Sequence, residues 1–373
     1  MRIVFLITQN PNSLRDWSGT TFYIYQALRK HHTVHLIGVG ILENSIQYIS
    51  NNFTESKRLD CYSAVLANIC SERINRLDEV DLVFFGDIYL NGLLKISIPS
   101  IVYTDSMFAI NNSQRPSKDQ FFVKRLKSLE ASFFKKSDFA VFSSQWINKK
   151  AIGLYNLNYN KTQVIEFGAN LPHPENYQAE IDTSICHIIF IGREWTRKGG
   201  NITFEAIRIL QNQGFPCKMT FIGCTPPPNE SLPENTEIIP FLDKSKPEEL
   251  ERLCSILYDA HFLLLPTRFE PFGIVFAEAS AYGVPSIATN VGGTSQAIRE
   301  GKNGYLLPLE AGAEEYANKI KEVFADKESY YQLRRTSRKE YETRLNWDVW
   351  LKRVNKVFEE TVSNYKKQNN KNE

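Results

Sequence analysis

The strongest constraint on this chain is a series of short, unbroken apolar runs, each ending in a polar loop that leads toward a helix. "RIVFLIT" at residues 2–8 has no polar side chain between Arg2 and Thr8. Such a run predicts a strand buried on both faces, since a half-exposed strand would alternate apolar and polar positions. "QNPNSLRDWSGTT" follows, then the amphipathic helix "FYIYQALRKH" and the strand "TVHLIGV". "VDLVFFG" (80–86), "PSIVYTD" (99–105) and "SDFAVFSS" (137–144) continue the theme. From residue 169 the pattern lapses into "ANLPHPENYQAEIDTS", a polar, proline-containing linker. A second series opens with "ICHIIFIG" (185–192) and runs through a helix at about 201–213, "CKMTFIG", "HFLLLP", the helix after "RFEPFG" and "SIATN". Strands alternating with helices imply doubly wound parallel sheets with right-handed crossovers, here in two α/β domains. The 373 residues suit that number, because a single core of this size would be unusual.

Charge and cysteine usage narrow the setting. A net charge of +2 gives no basis for nucleic acid as a partner. The six cysteines are scattered, with no CxxC, which suits a reduced cytoplasmic chain. "MRIVFLITQN" turns polar too early for a signal peptide. No stretch approaches the roughly 18 apolar residues of a membrane span. A soluble, cytoplasmic, globular protein is therefore expected.

In open parallel sheets, ligands bind beyond the carboxyl ends of strands. The loop "FIGREWTRKGG" places Arg193 and Lys198 there, just before a helix near Gly200. Two cations beside a helix N-terminus suit a diphosphate, although a solvated loop would read the same way and the usual glycine-rich fingerprints are missing. In "TRFEPFG", Glu270 precedes a helix that begins near Gly273 or Ile274, where the helix dipole favours an anion. Glu278 shares a helical face with Ile274, Ala281 and Tyr282, while Val275, Phe276, Ala277 and Ala279 cover the rest. A helix apolar nearly all round is buried, so Glu278 needs hydrogen-bond partners, either ligand hydroxyls or a core arginine.

The segment "EPFGIVFAEASAYGVPSIATNVGG" resembles the E-x7-E signature of the family-4 retaining glycosyltransferases. The "GR…KG" loop from Gly192 to Gly199 and "GKNGYLLP" (301–308) fit the same family, most closely over 185–310. "VIEFGAN" (164–170) is similar to the family's turn before the interdomain linker, with Phe167 in place of the usual Asn. The resemblance implies a GT-B fold, two Rossmann-like doubly wound domains facing across a cleft. An acceptor-binding domain would cover 1–172 together with a returning helix at about 348–373, and a donor-binding domain 173–347. It further implies that Glu270 lies against the transferred sugar's hydroxyls and Glu278 holds the ribose, with the backbone around Phe272, Gly273 and Ile274 meeting sugar and phosphates. Arg193 and Lys198 would neutralise the leaving diphosphate. Gly19 in "DWSGTT" matches the family's glycine loop, though an ordinary turn glycine would look alike. Relatives often present a His from the first domain to the donor sugar; here the strand end reads "VYTDSMF", and Asp105 is the nearest polar candidate.

The activity so implied is transfer of a hexosyl group from a UDP-sugar, glucose being the first to try, to a glycan or lipid-linked saccharide in polysaccharide biosynthesis. No metal or other cofactor is expected, since cations stand at the diphosphate and no His, Asp or Cys cluster has ligand spacing. His31 and His35 straddle a turn and read as solvated. Retention without an obvious nucleophile implies front-face attack, the leaving phosphate oxygen taking the acceptor's proton. "SKDQFFVKRLKSLEASFFKKSD" (117–138) is a basic amphipathic helix that can lie on an anionic membrane at the inner face of the cell, or pack on its own sheet as an ordinary domain helix. A non-catalytic nucleotide-sugar-binding protein or a GT-B epimerase would share these motifs.

Overall fold

The computed structural model describes residues 1–38, 55–86, 93–114, 120–228 and 230–370. Six strands form one sheet: β1 (Arg2–Ile7), β2 (Thr33–Gly38), β3 (Leu82–Phe85), β4 (Ser100–Thr104), β5 (Phe139–Phe142) and β6 (Thr162–Val164). Their order is β2-β1-β3-β4-β5-β6, and every pairing is parallel. Ile3, Val4, Phe5 and Leu6 on the interior strand β1 are fully buried, as a strand covered on both faces requires.

The second sheet contains β7 (Cys186–Ile191), β8 (Cys217–Ile222), β9 (Thr236–Ile239), β10 (Phe262–Leu265), β11 (Ser286–Thr289) and β12 (Gly304–Leu307). It runs β12-β11-β10-β7-β8-β9, again all parallel. The chain reaches β9 at one edge, returns to place β10 against β7, and then builds outward the other way. The carboxyl ends of β7 and β10 therefore flank a topological switch point, where a crevice opens in such sheets. The polar edge segments "TQV" and "TEII" of β6 and β9 were not anticipated as strands; only Ile239 among their residues is buried.

The chain divides into two units, Met1–Ile165 with Leu351–Glu373, and Glu166–Trp350. Residues 166–172, placed with the first domain on sequence grounds, pack in the second unit. The Phe167 ring meets Phe272 edge-on at 5.3 Å and Trp347 at 6.1 Å. Ala169 N–H donates to Leu345 O at 2.9 Å, and the Trp347 indole N–H donates to Ala169 O at 2.9 Å. The helix Trp347–Asn369 continues into the first unit, where Phe358 packs on Phe84 at 5.1 Å.

The basic helix runs Gln120–Lys136, and its apolar residues Val123, Leu126, Leu129, Phe133 and Phe134 are buried within its own unit. Phe121 stays 67% exposed. Lys118, counted with this helix from the sequence, lies outside the described residues. Among the described residues no helix is long and apolar enough to cross a membrane.

Candidate active site

The loops leaving β7 and β10 are tied together at the switch point. Arg268 N–H donates to Arg197 O at 2.7 Å, Arg197 Nη1 to Phe269 O at 2.9 Å, and the Thr267 hydroxyl to Arg197 O at 3.2 Å. Within this staple the Lys198 ammonium donates to Glu270 Oε2, and the two side chains are only 11% and 9% exposed. Two glycines make the approach possible. A Cβ at Gly192 would lie 2.9 Å from Lys198 Cγ, so only glycine lets the lysine stem lie over the end of β7. A Cβ at Gly292, where φ is +58°, would lie 2.2 Å from Glu270 O, while the neighbouring Gly293 N–H donates to that same oxygen at 2.8 Å.

Just beyond Glu270 the helix Ile274–Ala281 starts from Gly273, whose φ is 88°, with no side-chain cap. Its first backbone N–H groups lack intrahelical acceptors and carry the positive end of the helix dipole. Phe272 is buried against Phe167, and Ile274 is half-buried. Glu278 is 3% exposed, on a helix whose other residues after Ile274 are also buried. Its partner within the protein is a lysine, where the sequence reading names a core arginine as the alternative to ligand hydroxyls. Lys244 donates to Glu278 Oε1, and its ammonium also lies 3.4 Å from Asn170 O. Sequence reasoning missed Lys244 because the pair is separated by 34 residues and no local pattern joins them.

Arg193 is placed differently from Lys198. It is exposed, and its guanidinium stacks over the Phe241 ring at 5.0 Å. Gly19 and Asp105 belong to the first unit. There the Trp17 indole N–H donates to Asp105 Oδ2 at 3.4 Å, in a turn where Trp17, Ser18 and Gly19 have φ of 46°, 56° and 90°. Two consecutive non-glycine residues in the left-handed region cost about 1–3 kcal/mol each, a strain that clusters at functional sites.

The turn after Asp105 is anchored by Glu130, a fully buried acid that sequence reasoning also missed. Its carboxylate accepts the backbone N–H groups of Phe108 (2.6 Å) and Ala109 (3.1 Å) and the Tyr155 hydroxyl. Burial pushes its pKa up, and these hydrogen bonds pull it back. The available signal was a single acid on the apolar face of a helix otherwise notable for its cations.

The second unit thus presents two nearly buried acids, each joined to a lysine from another loop, around a helix N-terminus. Such a site can accept hydroxyls at Glu270 and Glu278 and an anion between Lys198 and the helix start. Among the described residues no group of three or more His, Cys, Asp and Glu side chains could hold a metal ion.

Residues 186–326 match the family model "Glycosyl transferases group 1". The chain is 27% identical over 183 residues to spore coat protein SA of Bacillus subtilis, covering 46% of this chain and 48% of that protein. It is 32% identical over 127 residues to the D-inositol 3-phosphate glycosyltransferase of Paenarthrobacter aurescens, covering 32% of this chain and 31% of that protein. The chain spans about half or less of the length of these curated relatives. Among solved structures, Anabaena Alr3699/HepE in complex with UDP-glucose superposes with a TM-score of 0.65 at 16% identity, over 98% of this chain and 100% of that one. That likeness is one of fold, the GT-B architecture of two parallel α/β domains.

Proposed function

We propose that this chain, whose residues 186–326 match the glycosyl transferases group 1 model, is a retaining, metal-independent glycosyltransferase that moves a hexosyl group from a UDP-sugar to a saccharide or lipid-linked glycan in the cytoplasm. The observation that carries this reading is the meeting of Lys198 and Glu270 at the switch point, beside the helix start at Gly273. In this reading Glu270 accepts hydroxyls of the transferred sugar, and Glu278 those of the ribose. Lys198 and the helix N-terminus hold the diphosphate, where negative charge grows as the bond to the leaving group breaks. Arg193 joins them by leaving the Phe241 ring, a stacking contact worth only about 0.5–1 kcal/mol at an exposed site.

In the reaction the bond between the sugar's anomeric carbon and the diphosphate oxygen breaks. The acceptor oxygen bonds to that carbon on the same face, and the acceptor proton passes to the leaving oxygen. Asp105, joined to Trp17 in the first unit, is proposed to contact the donor sugar, and the Gly19 turn its phosphates. UDP-glucose is the first donor to test, because Alr3699/HepE was solved with it.

Thermal-shift screening of nucleotide sugars tests the donor, since a ligand at 100 times its Kd adds about 2.7 kcal/mol of stability. Product analysis then separates the alternatives. A transferase or its slow hydrolytic side reaction releases UDP, an epimerase yields a new UDP-sugar, and a binding protein does neither.

A further inference from the structure

Lys244 lies in the loop between β9 and the helix Pro247–Asp259, and that loop is tied down on both sides of it. The carboxylate of Asp243, a residue only 3% exposed, accepts both the backbone N–H (3.0 Å) and the hydroxyl (2.7 Å) of Ser245. Glu249 reaches back from the helix's first turn to accept the Asp243 N–H at 2.6 Å. From between these anchors the Lys244 side chain, 14% exposed, extends to Glu278 Oε1 and toward Asn170 O. A loop lysine normally keeps its ammonium in water and its rotamers free. Here both are given up, for a pairing with an acid whose own side chain is 4% exposed.

We infer that Lys244 is a positioning residue that makes the donor site selective for ribonucleotides, by pinning the Glu278 carboxylate as an acceptor for the ribose hydroxyls. The inference rests on the donor reading above. A carboxylate offers about four acceptor positions, and Lys244 fills one of them on Oε1. What remains can accept but not donate. A ribose hydroxyl satisfies it; a deoxyribose leaves a buried acceptor without its donor, and a phosphate at that position brings like charge. Loss of Lys244 frees the carboxylate to turn aside, and the preference goes with it.

Calorimetric titration of UDP and of 2′-deoxy-UDP into the wild type, Lys244→Met, Lys244→Arg, Glu278→Gln and the double variant Lys244→Met/Glu278→Gln tests this. The wild type is expected to prefer UDP by about tenfold to a hundredfold, the range of one charge-assisted hydrogen bond. Lys244→Met brings that ratio close to one and changes 2′-deoxy-UDP affinity little. Lys244→Arg keeps the ratio, and the double variant matches Glu278→Gln. The double variant also carries the test if Lys244→Met, with an unpaired buried acid, does not fold. A wild type without the preference, an unchanged ratio in Lys244→Met, or a double variant that binds both nucleotides much more weakly than Glu278→Gln overturns the inference. A wild type that binds neither nucleotide instead overturns the donor reading.

Discussion

The ammonium of Lys198 and the carboxylate of Glu270 meet although 72 residues separate them, each carried by the loop after one of the two strands that flank the switch point of the second sheet. Their near-complete burial means that the pair also holds the two loops together.

Lys198→Ala is expected to cost about 3–5 kcal/mol of stability, because Glu270 is left as an uncompensated buried charge. Arg193→Ala, on an exposed side chain stacked on Phe241, is expected to cost no more than about 1 kcal/mol. Urea unfolding of both variants measures the contrast. Equal midpoints would mean that Lys198 does not depend on Glu270.

Gly292→Ala puts a Cβ within 2.2 Å of Glu270 O at a residue whose φ is +58°. Left-handed strain and the clash together predict a loss of about 2 kcal/mol or more. A thermal midpoint matching the wild type would show that the backbone under Glu270 can yield.

His187 and His261 form a buried pair: His187 N–H donates to His261 Nδ1 at 3.0 Å, and His261 Nε2–H donates to Asp182 O at 2.7 Å. Burial holds both imidazoles down at about 4, against 6.5 when free. Below pH 6.5 the unfolded chain gains protons that the folded one refuses, so stability falls as pH drops from 6.5 toward 4. Each imidazole contributes at most roughly 3–4 kcal/mol. Melting curves between pH 7.5 and 4.5 should show the decline, and His261→Phe should flatten it.

Transfer is predicted to persist in excess EDTA, because Lys198, Arg193 and the helix start at Gly273 are assigned the diphosphate charge. The product is predicted to keep the donor's anomeric configuration, read by proton NMR. The two outcomes are independent. Loss of activity in EDTA, restored by Mg²⁺, would reveal a metal requirement, whereas inversion would remove the assigned role of Glu270.

Much of this was legible because buried parallel strands write continuous apolar runs: "RIVFLI" and "CHIIFI" are strands as expected. Glu270 and Lys198 stand out in the sequence as charges beside helix starts, and Glu278 as an acid on a helix that is otherwise apolar. What was hidden is tertiary. Lys244 reaches Glu278 across the fold, Glu130 caps the start of the helix Phe108–Gln114 from 21 and 22 positions away, and Phe167 pairs with Phe272 to draw residues 166–172 into the second unit. The edge strands β6 and β9 were missed because partial exposure lets them carry polar residues.

The most direct measurement is calorimetric titration of UDP and UDP-glucose into the wild type and into folded Glu278→Ala. Saturable binding to the wild type is predicted, weakened in the variant by about 1.5–3 kcal/mol, roughly tenfold to a hundredfold, as the ribose loses a charged acceptor. Equal affinities in the two proteins, or no binding of either ligand to the wild type, would contradict the assignment of this site to a nucleotide-sugar donor.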